Sequence, residues 1–332
     1  MAKFRILFLN LATFHFTGGI ERVNRCIYKA LDEESETNAE LDYRAISVYD
    51  CNNEFQDRYA NRNKVLNFKN SKIKASIASV YYAFFSDSIL ISHINLAIIA
   101  YVIKKLFPKK RIIIMAHGIE IWGDLSIIQK SLLSIADRII AVSNFTKTRI
   151  VENHKINMNK VVVCNNGLDP FVVIPSSFEK PIELLERYKI DINDSVLFTL
   201  SRLSSTEQYK GYDIVLEALS DVVKVKPNIK YLIGGKGDDI EIERVMSLIK
   251  KYQLENHVQL LGFIKEEELA QHFLLADTYI MPSKNEGFGL VFIEAAFYGL
   301  NVIAGNMDGS RDAVLFHHGG NLVNPLNVVE IA

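Results

Sequence analysis

Short, continuously apolar runs separated by helix-length segments set the rhythm of this chain and leave few folds open to it. FRILFLN (4–10), YRAISVYD (43–50), KVLNF (64–68), SILISH (88–93), RIIIMAH (111–117), RIIAVS (138–143) and KVVVCNNG (160–167) read as strands. Segments 20–34, 71–85, 95–107, 124–134 and 145–153 read as the helices between them. Strands that are apolar throughout, rather than alternating, belong in a parallel sheet covered by helices on both faces. Pro170, Pro175 and Pro181 then break the rhythm. It restarts with SVLFTLSR (195–202), KYLIGGKG (230–237), VQLLG (258–262), TYIMPS (278–283) and NVIAG (301–305), with helices at 211–226, 240–253, 266–276 and about 289–299. The expectation is an α/β protein with two Rossmann-like, doubly wound parallel-sheet domains. These are an N-terminal domain at 1–167, a linker at 168–182 and a C-terminal domain at 183–332. A length of 332 residues suits two such domains. Ligands of open α/β sheets bind beyond the carboxyl ends of the strands, so a cleft between the domains is the expected site.

Several function classes fall away. No apolar stretch reaches the eighteen or so residues that a spanning helix needs. The N-terminus runs straight into a strand with no small-residue cleavage site, so a cytoplasmic protein is expected. Cys26, Cys51 and Cys164 lie far apart in apolar segments and read as buried, reduced thiols. There is no D-x-D motif and no clustered set of His, Cys and acids, so neither a metal nor a cofactor is expected. P-loop, nucleophile-elbow and G-x-G-x-x-G patterns are also missing.

Residues 1–165 hold 23 Lys and Arg against 15 Asp and Glu, while the remainder holds 15 against 24. A basic N-terminal half can face an anionic membrane or acceptor, or be one solvated surface among others. The segment YVIKKLFPKKR carries Lys104, Lys105, Lys109, Lys110 and Arg111 beside apolar residues, and KNSKIKASIASVYYAFF (69–85) mixes Lys with aromatics. Both suit peripheral contact with a membrane interface; the alternative is a basic helix end with core-facing apolar residues. No recognition motif supports a nucleic-acid partner.

The richest chemistry lies in SKNEGFGLVFIEAAFYG (283–299). Glu286 ends a strand, Gly287 and Gly289 let the backbone approach a ligand closely, and a helix begins near Leu290. The free N–H groups and positive dipole end of that helix suit a phosphate. Glu294 sits within an otherwise apolar helix, where an unpartnered acid is costly. Eight helical residues rise ~12 Å, so the two acids can meet different parts of an extended ligand. A nucleotide-diphospho-sugar has that layout, and each carboxylate can accept from paired hydroxyls. Arg202 ends one strand, and Lys210 follows a polar loop before a helix start. Both suit diphosphate oxygens, although either alone would read as surface charge. FTGGIERV places Gly18 and Gly19 in a turn before the first helix, as a phosphate-approaching loop or a plain capped turn. His117 ends a strand and can hydrogen-bond a sugar or steer a proton; an isolated His is more often structural.

With these motifs assembled, the chain resembles glycosyltransferase family 4, a retaining family with the GT-B fold. SRLSSTEQYKG is similar to its R-x(n)-K-G diphosphate element, and SKNEGFGLVFIEAAFYG to its E-x7-E motif. AVSNFTK, NNGLD and TGGIE fit weaker patterns of the family. The resemblance implies that Glu286 contacts donor-sugar hydroxyls and Glu294 the ribose. Arg202 and Lys210 would neutralise the departing diphosphate, and His117 would be the active-site histidine. Gly18 and Gly19 would form the N-terminal glycine loop. Phe263 and Ile264 would meet the base, with Gly287, Phe288, Gly289 and Leu290 lining the donor. The implied activity is transfer of a hexosyl group from a UDP- or GDP-sugar to a saccharide or lipid-linked saccharide, at the inner face of the membrane. Cell-surface polysaccharide or lipopolysaccharide synthesis is the implied setting. A sugar-nucleotide epimerase, or a non-catalytic saccharide- or nucleotide-binding protein, would use the same scaffold. Asn301 stands where the family has proline and Asp312 where it has glutamate. NPLNVVEIA begins a further helix, so the resemblance implies that the fold's final helices are missing.

Overall fold

A computed structural model of the chain describes residues 3–316 and 320–332. The chain divides into two compact units, Met1–Val172 and Val173–Ala332.

The first unit is built on a parallel sheet of β1 (Phe4–Asn10), β2 (Leu41–Ser47), β3 (Val65–Asn67), β4 (Ser88–Ile91), β5 (Arg111–Ala116), β6 (Arg138–Ala141) and β7 (Val161–Val163). Its strand order is β3-β2-β1-β4-β5-β6-β7. The alternating side chains of β1 explain why its stretch Ile6–Leu9 is apolar without a break. Leu7 and Leu9 enter a core with Ala75, Ala100, Ile103 and Leu132 from helices on one face. Phe8 packs with Tyr28 and Leu31 of the helix Gly19–Thr37 on the other.

The second unit repeats the plan with β8 (Ser195–Leu200), β9 (Ile229–Gly234), β10 (Val258–Gly262), β11 (Thr278–Met281), β12 (Asn301–Gly305) and β13 (Gly320–Val323). Its order is β10-β9-β8-β11-β12-β13, with every pairing parallel. The order reverses between β8 and β11. Connections leaving those two strands run to opposite sides and open a crevice at their carboxyl ends.

The structure differs from the sequence reading in a few places. The helix expected at 124–134 is Ile127–Ile135, started by a capping box of Ser126 with Gln129, and a four-residue helix that was not anticipated, Ile119–Trp122, precedes it and ends at Gly123. Residues 182–188, to which no element was assigned, form a helix that stops where Lys189 turns left-handed at φ 54°. The helix Ser310–Phe316 and β13 were not anticipated. Of the cysteines, Cys26 and Cys51 are half-buried, but Cys164 is exposed. Burial, with Asp169 adding to it, pushes the Cys26 thiol up to about 11.

Candidate functional site

The reversal point of the second sheet gathers the residues that sequence alone only suggested. The chain leaving β8 carries Arg202 and Lys210, and the chain leaving β11 carries Glu286. Two close approaches lock these segments together. Gly211, at φ +82°, lies so near Pro282 that a Cβ would sit 2.3 Å from the Pro282 carbonyl oxygen. The Lys284 N–H donates to the Tyr209 carbonyl at 3.0 Å. Lys210 and Glu286 are thereby carried to each other although 76 residues apart, and their side chains form an ion pair. Both are largely shielded, with side chains 14% and 16% exposed. Burial pulls the lysine pKa down, but the Glu286 carboxylate outweighs it and holds the group above the ordinary lysine value. Arg202 is 72% exposed and pairs with Glu207 at 2.6 Å. It lies on the same loop as Lys210, not in contact with Glu286.

The Glu286 backbone is fixed by a residue that sequence reasoning missed. The buried Asp308 carboxylate accepts the Glu286 N–H at 2.6 Å on one oxygen and the Ser310 N–H at 2.9 Å on the other. Gly309 lies against the turn: its N–H donates to the Glu286 carbonyl at 2.8 Å, and a Cβ there would be 2.1 Å from the Gly287 oxygen. No sequence pattern flags Asp308, since its partners are backbone N–H groups, one of them 22 residues away.

Burial lifts the Asp308 pKa from 3.8 to about 6; the N–H bonds from Glu286 and Ser310 oppose that rise without cancelling it. A carboxyl whose folded pKa lies above its unfolded one stabilises the fold fully at low pH. That contribution is lost as pH rises through the folded value. Asp308→Asn keeps the shape and cannot titrate. The stability of the wild-type protein relative to Asp308→Asn is therefore expected to fall by up to about 3 kcal/mol between about pH 4 and pH 7. Urea unfolding of both proteins across that range measures it, and a difference independent of pH would contradict the assignment.

Past the turn, Gly287 and Phe288 are buried and Gly289 precedes the helix Leu290–Phe297. Leu290 and Glu294 are half-buried on that helix, while Phe292 and Ile293 enter the core. The Glu294 charge reaches Tyr298, whose phenol is raised mainly by burial and further by Glu294. Phe263 is 62% exposed just after β10, and Ile264 lies against Gly234 at the end of β9. Both thus lie at the carboxyl ends of β9 and β10, on one side of β8.

In the first unit, His117 follows β5. Its Nε2–H donates to the Ser92 carbonyl at 2.8 Å, and its backbone N–H donates to Glu120 at 2.7 Å. A neutral ring held this way keeps Nδ1 as its acceptor. Gly18 is the extended cap of the helix that starts at Gly19. Ahead of it, the buried Asp50 carboxylate accepts the N–H groups of Thr13, Phe14 and His15 at 2.9–3.1 Å. This second acid, too, was missed, for the same reason as Asp308. One expectation needs correction: Lys104 is not a free basic group for a membrane. Its ammonium donates to Asp137 at 3.0 Å and to the Lys110 carbonyl at 2.8 Å. Among the described residues no group of three or more His, Cys, Asp or Glu could hold a metal ion. No described helix is long and apolar enough to cross a membrane.

Comparison with known proteins agrees with this geometry. Residues 183–332 match the family "Glycosyl transferases group 1" and residues 75–170 match "Glycosyltransferase Family 4". The GDP-mannose-dependent alpha-(1-6)-phosphatidylinositol monomannoside mannosyltransferase of Mycobacterium tuberculosis is 28% identical over 239 residues, 69% of this chain. The D-inositol 3-phosphate glycosyltransferase of Segniliparus rotundus is 27% identical over 195 residues, 58% of this chain. These matches span 60% and 42% of the two relatives' own lengths. Among solved structures, Anabaena HepE in complex with UDP and glucose aligns with 99% of this chain and 88% of its own, at TM-score 0.78 and 21% identity. A glycosyltransferase from Rickettsia africae aligns with 99% of this chain and 86% of its own, at TM-score 0.76 and 23% identity. With both units matched and two parallel α/β sheets in place, the chain belongs to the family-4 type of GT-B glycosyltransferases.

Proposed function

We propose that this protein transfers a sugar, with retention of configuration and without a metal, from a nucleotide-diphospho-sugar to a saccharide or lipid-linked saccharide. The observation that carries the reading is the shielded Lys210–Glu286 pair at the β8/β11 reversal, one turn before the helix Leu290–Phe297. Lys210, Arg202 and that helix N-terminus take the leaving diphosphate as its charge develops. Glu286, released from Lys210, accepts from hydroxyls of the donor sugar, and Glu294 from those of the ribose. The acceptor hydroxyl attacks from the face that the diphosphate leaves and gives its proton to the departing phosphate oxygen, so no enzyme nucleophile takes part. His117 hydrogen-bonds the sugar, and the basic first unit holds the acceptor. The names of the relatives support a GDP- or UDP-linked donor, and the first of them supports a lipid acceptor at an anionic membrane. Such an acceptor fits cell-surface polysaccharide or lipopolysaccharide synthesis, on the cytoplasmic side.

The test begins with thermal shift against UDP, GDP and ADP and then their sugars. Release of nucleotide that depends on an added acceptor distinguishes transfer from epimerisation. Glu294→Gln is expected to weaken the bare nucleoside diphosphate and its sugar alike, by about tenfold for one lost charged hydrogen bond. Glu286→Gln leaves Lys210 without its carboxylate, so the bare diphosphate should bind at least as well while the sugar-bearing donor binds worse. Equal losses for both ligands in both variants would overturn the division of roles.

A further inference from the structure

Three helices of the first unit, Lys72–Phe84, Ala97–Leu106 and Ile127–Ile135, carry unusual outer faces. Their inner residues Ala75, Ala83, Ala97, Ala100, Ile103, Leu132 and Leu133 enter one core, so all three cover the same side of the sheet. Their opposite faces therefore look outward together. On the first helix, Ile73, Ile77, Tyr81 and Phe84 recur at i, i+4, i+8 and i+11 and are exposed, Ile73 to 77%. Ile98, Val102 and Leu106 do the same on the second, and Ile127 is 84% exposed on the third. Phe84 contacts Phe85 at 5.0 Å and Phe107 at 5.9 Å, which joins the first two helices into a continuous apolar strip.

A soluble surface rarely shows an apolar strip of this extent without a partner. The charge around it identifies the partner's chemistry. Across residues 72–135, the segment that carries the three helices, the chain holds eight Lys and Arg against three acids, Asp87, Glu120 and Asp124. Lys72, Lys74, Lys105, Lys109, Arg111 and Lys130 are exposed at the ends and flanks of these helices. A groove of about 410 Å³ between the second and third helices sets Lys105 and Lys130 beside Tyr101, Ile127 and Ile135, cations next to apolar surface. A protein partner would leave so uniform a charge unmatched unless it were strongly acidic; a sheet of anionic headgroups over hydrocarbon matches both parts.

We propose that this three-helix face docks on an anionic phospholipid bilayer, with Ile73, Ile77, Tyr81, Phe84, Ile98 and Val102 inserted at the headgroup boundary and the flanking lysines on the phosphates. The purpose of the docking rests on the lipid-linked acceptor reading, but the adsorption can be measured without sugar transfer. The experiment is co-sedimentation with vesicles of phosphatidylcholine alone and of phosphatidylcholine mixed with phosphatidylglycerol, at low and high salt. Wild-type protein should sediment with the anionic vesicles. Ile77→Glu/Phe84→Glu, at exposed positions, should fold normally and partition at least about tenfold less. Lys105→Ala should lose about fivefold at low salt. Wild-type protein left in the supernatant, or a double variant that sediments like wild type, would overturn the proposal. So would a wild-type dimer in light scattering that the double variant abolishes, since the face would then belong to a second copy. Thermal shift with nucleoside diphosphate on the same samples separates the two readings. A response to nucleotide without vesicle binding refutes the docking face alone, and vesicle binding without any nucleotide response refutes the donor site alone.

Discussion

Lys210→Ala is expected to lower turnover about a hundredfold, the scale for losing one contact to charge that develops in a transition state. It should also destabilise the second unit by about 3 kcal/mol, because it strands a shielded carboxylate. The two effects have separate causes and can be separated. With Lys210 gone, the Glu286 carboxylate has no cation beside it in a place where only 16% of its side chain reaches solvent. Adding Glu286→Gln removes that charge, so the double variant should recover most of the stability. It should recover none of the turnover, since the diphosphate still lacks its cation. Urea unfolding and initial rates on the single and double variants measure both. A double variant as unstable as Lys210→Ala would mean that the lysine matters through packing of its stem and not through the pair. Near-normal turnover in the single variant would remove Lys210 from the mechanism.

Gly309→Ala is expected to be about as damaging by a purely steric route. Its Cβ would fall 2.1 Å from the Gly287 carbonyl oxygen and 2.7 Å from that of Glu286. Neither is the end of a flexible side chain that can swing away. The backbone of the Glu286 turn must shift, or the chain after β12 must. Either move breaks the hydrogen bonds that Asp308 and Gly309 make to Glu286. Overpacking of this kind costs about 1–3 kcal/mol. Displacing a positioned group by about an ångström can cost about a hundredfold in rate. The expected result is a folded protein, modestly less stable, whose binding of sugar nucleotide in calorimetry is lost or severely weakened. Wild-type affinity in Gly309→Ala would show that the turn tolerates the shift and is not the rigid platform described above.

Much of this architecture was legible from residues because a parallel sheet covered on both faces leaves a plain record. β1, β4 and β5 carry the unbroken apolar runs Ile6–Leu9, Ile89–Ile91 and Ile112–Ala116, and each lies inside the sheet with neighbours on both edges. The short elements left weaker traces. The helix Ile119–Trp122 has four residues, too few to show a helical period, and β13 has four. At the site, Glu286, Lys210 and Arg202 stood out because a charge at the end of an apolar strand needs a reason. What sequence did not show is how they are arranged. Lys210 and Glu286 were each read as a ligand for a different part of one molecule, yet in the structure they hold each other. Asp308 and Asp50 were passed over because carboxylates that bind backbone N–H groups depend on where distant loops run, and no spacing in the chain encodes that.

The Asp50 arrangement has a consequence for selectivity. A run of backbone N–H groups curled around one point is a general receptor for anions. In the turn after β1 that receptor already has a tenant, supplied by the chain itself and bonded by Thr13, Phe14 and His15. A visiting phosphate would have to displace that carboxylate to reach the same N–H groups, whereas a hydroxylated molecule binding elsewhere would not. Those N–H groups are already spent on the chain's own carboxylate, so the turn after β1 offers an incoming anion no vacant donor from Thr13, Phe14 or His15.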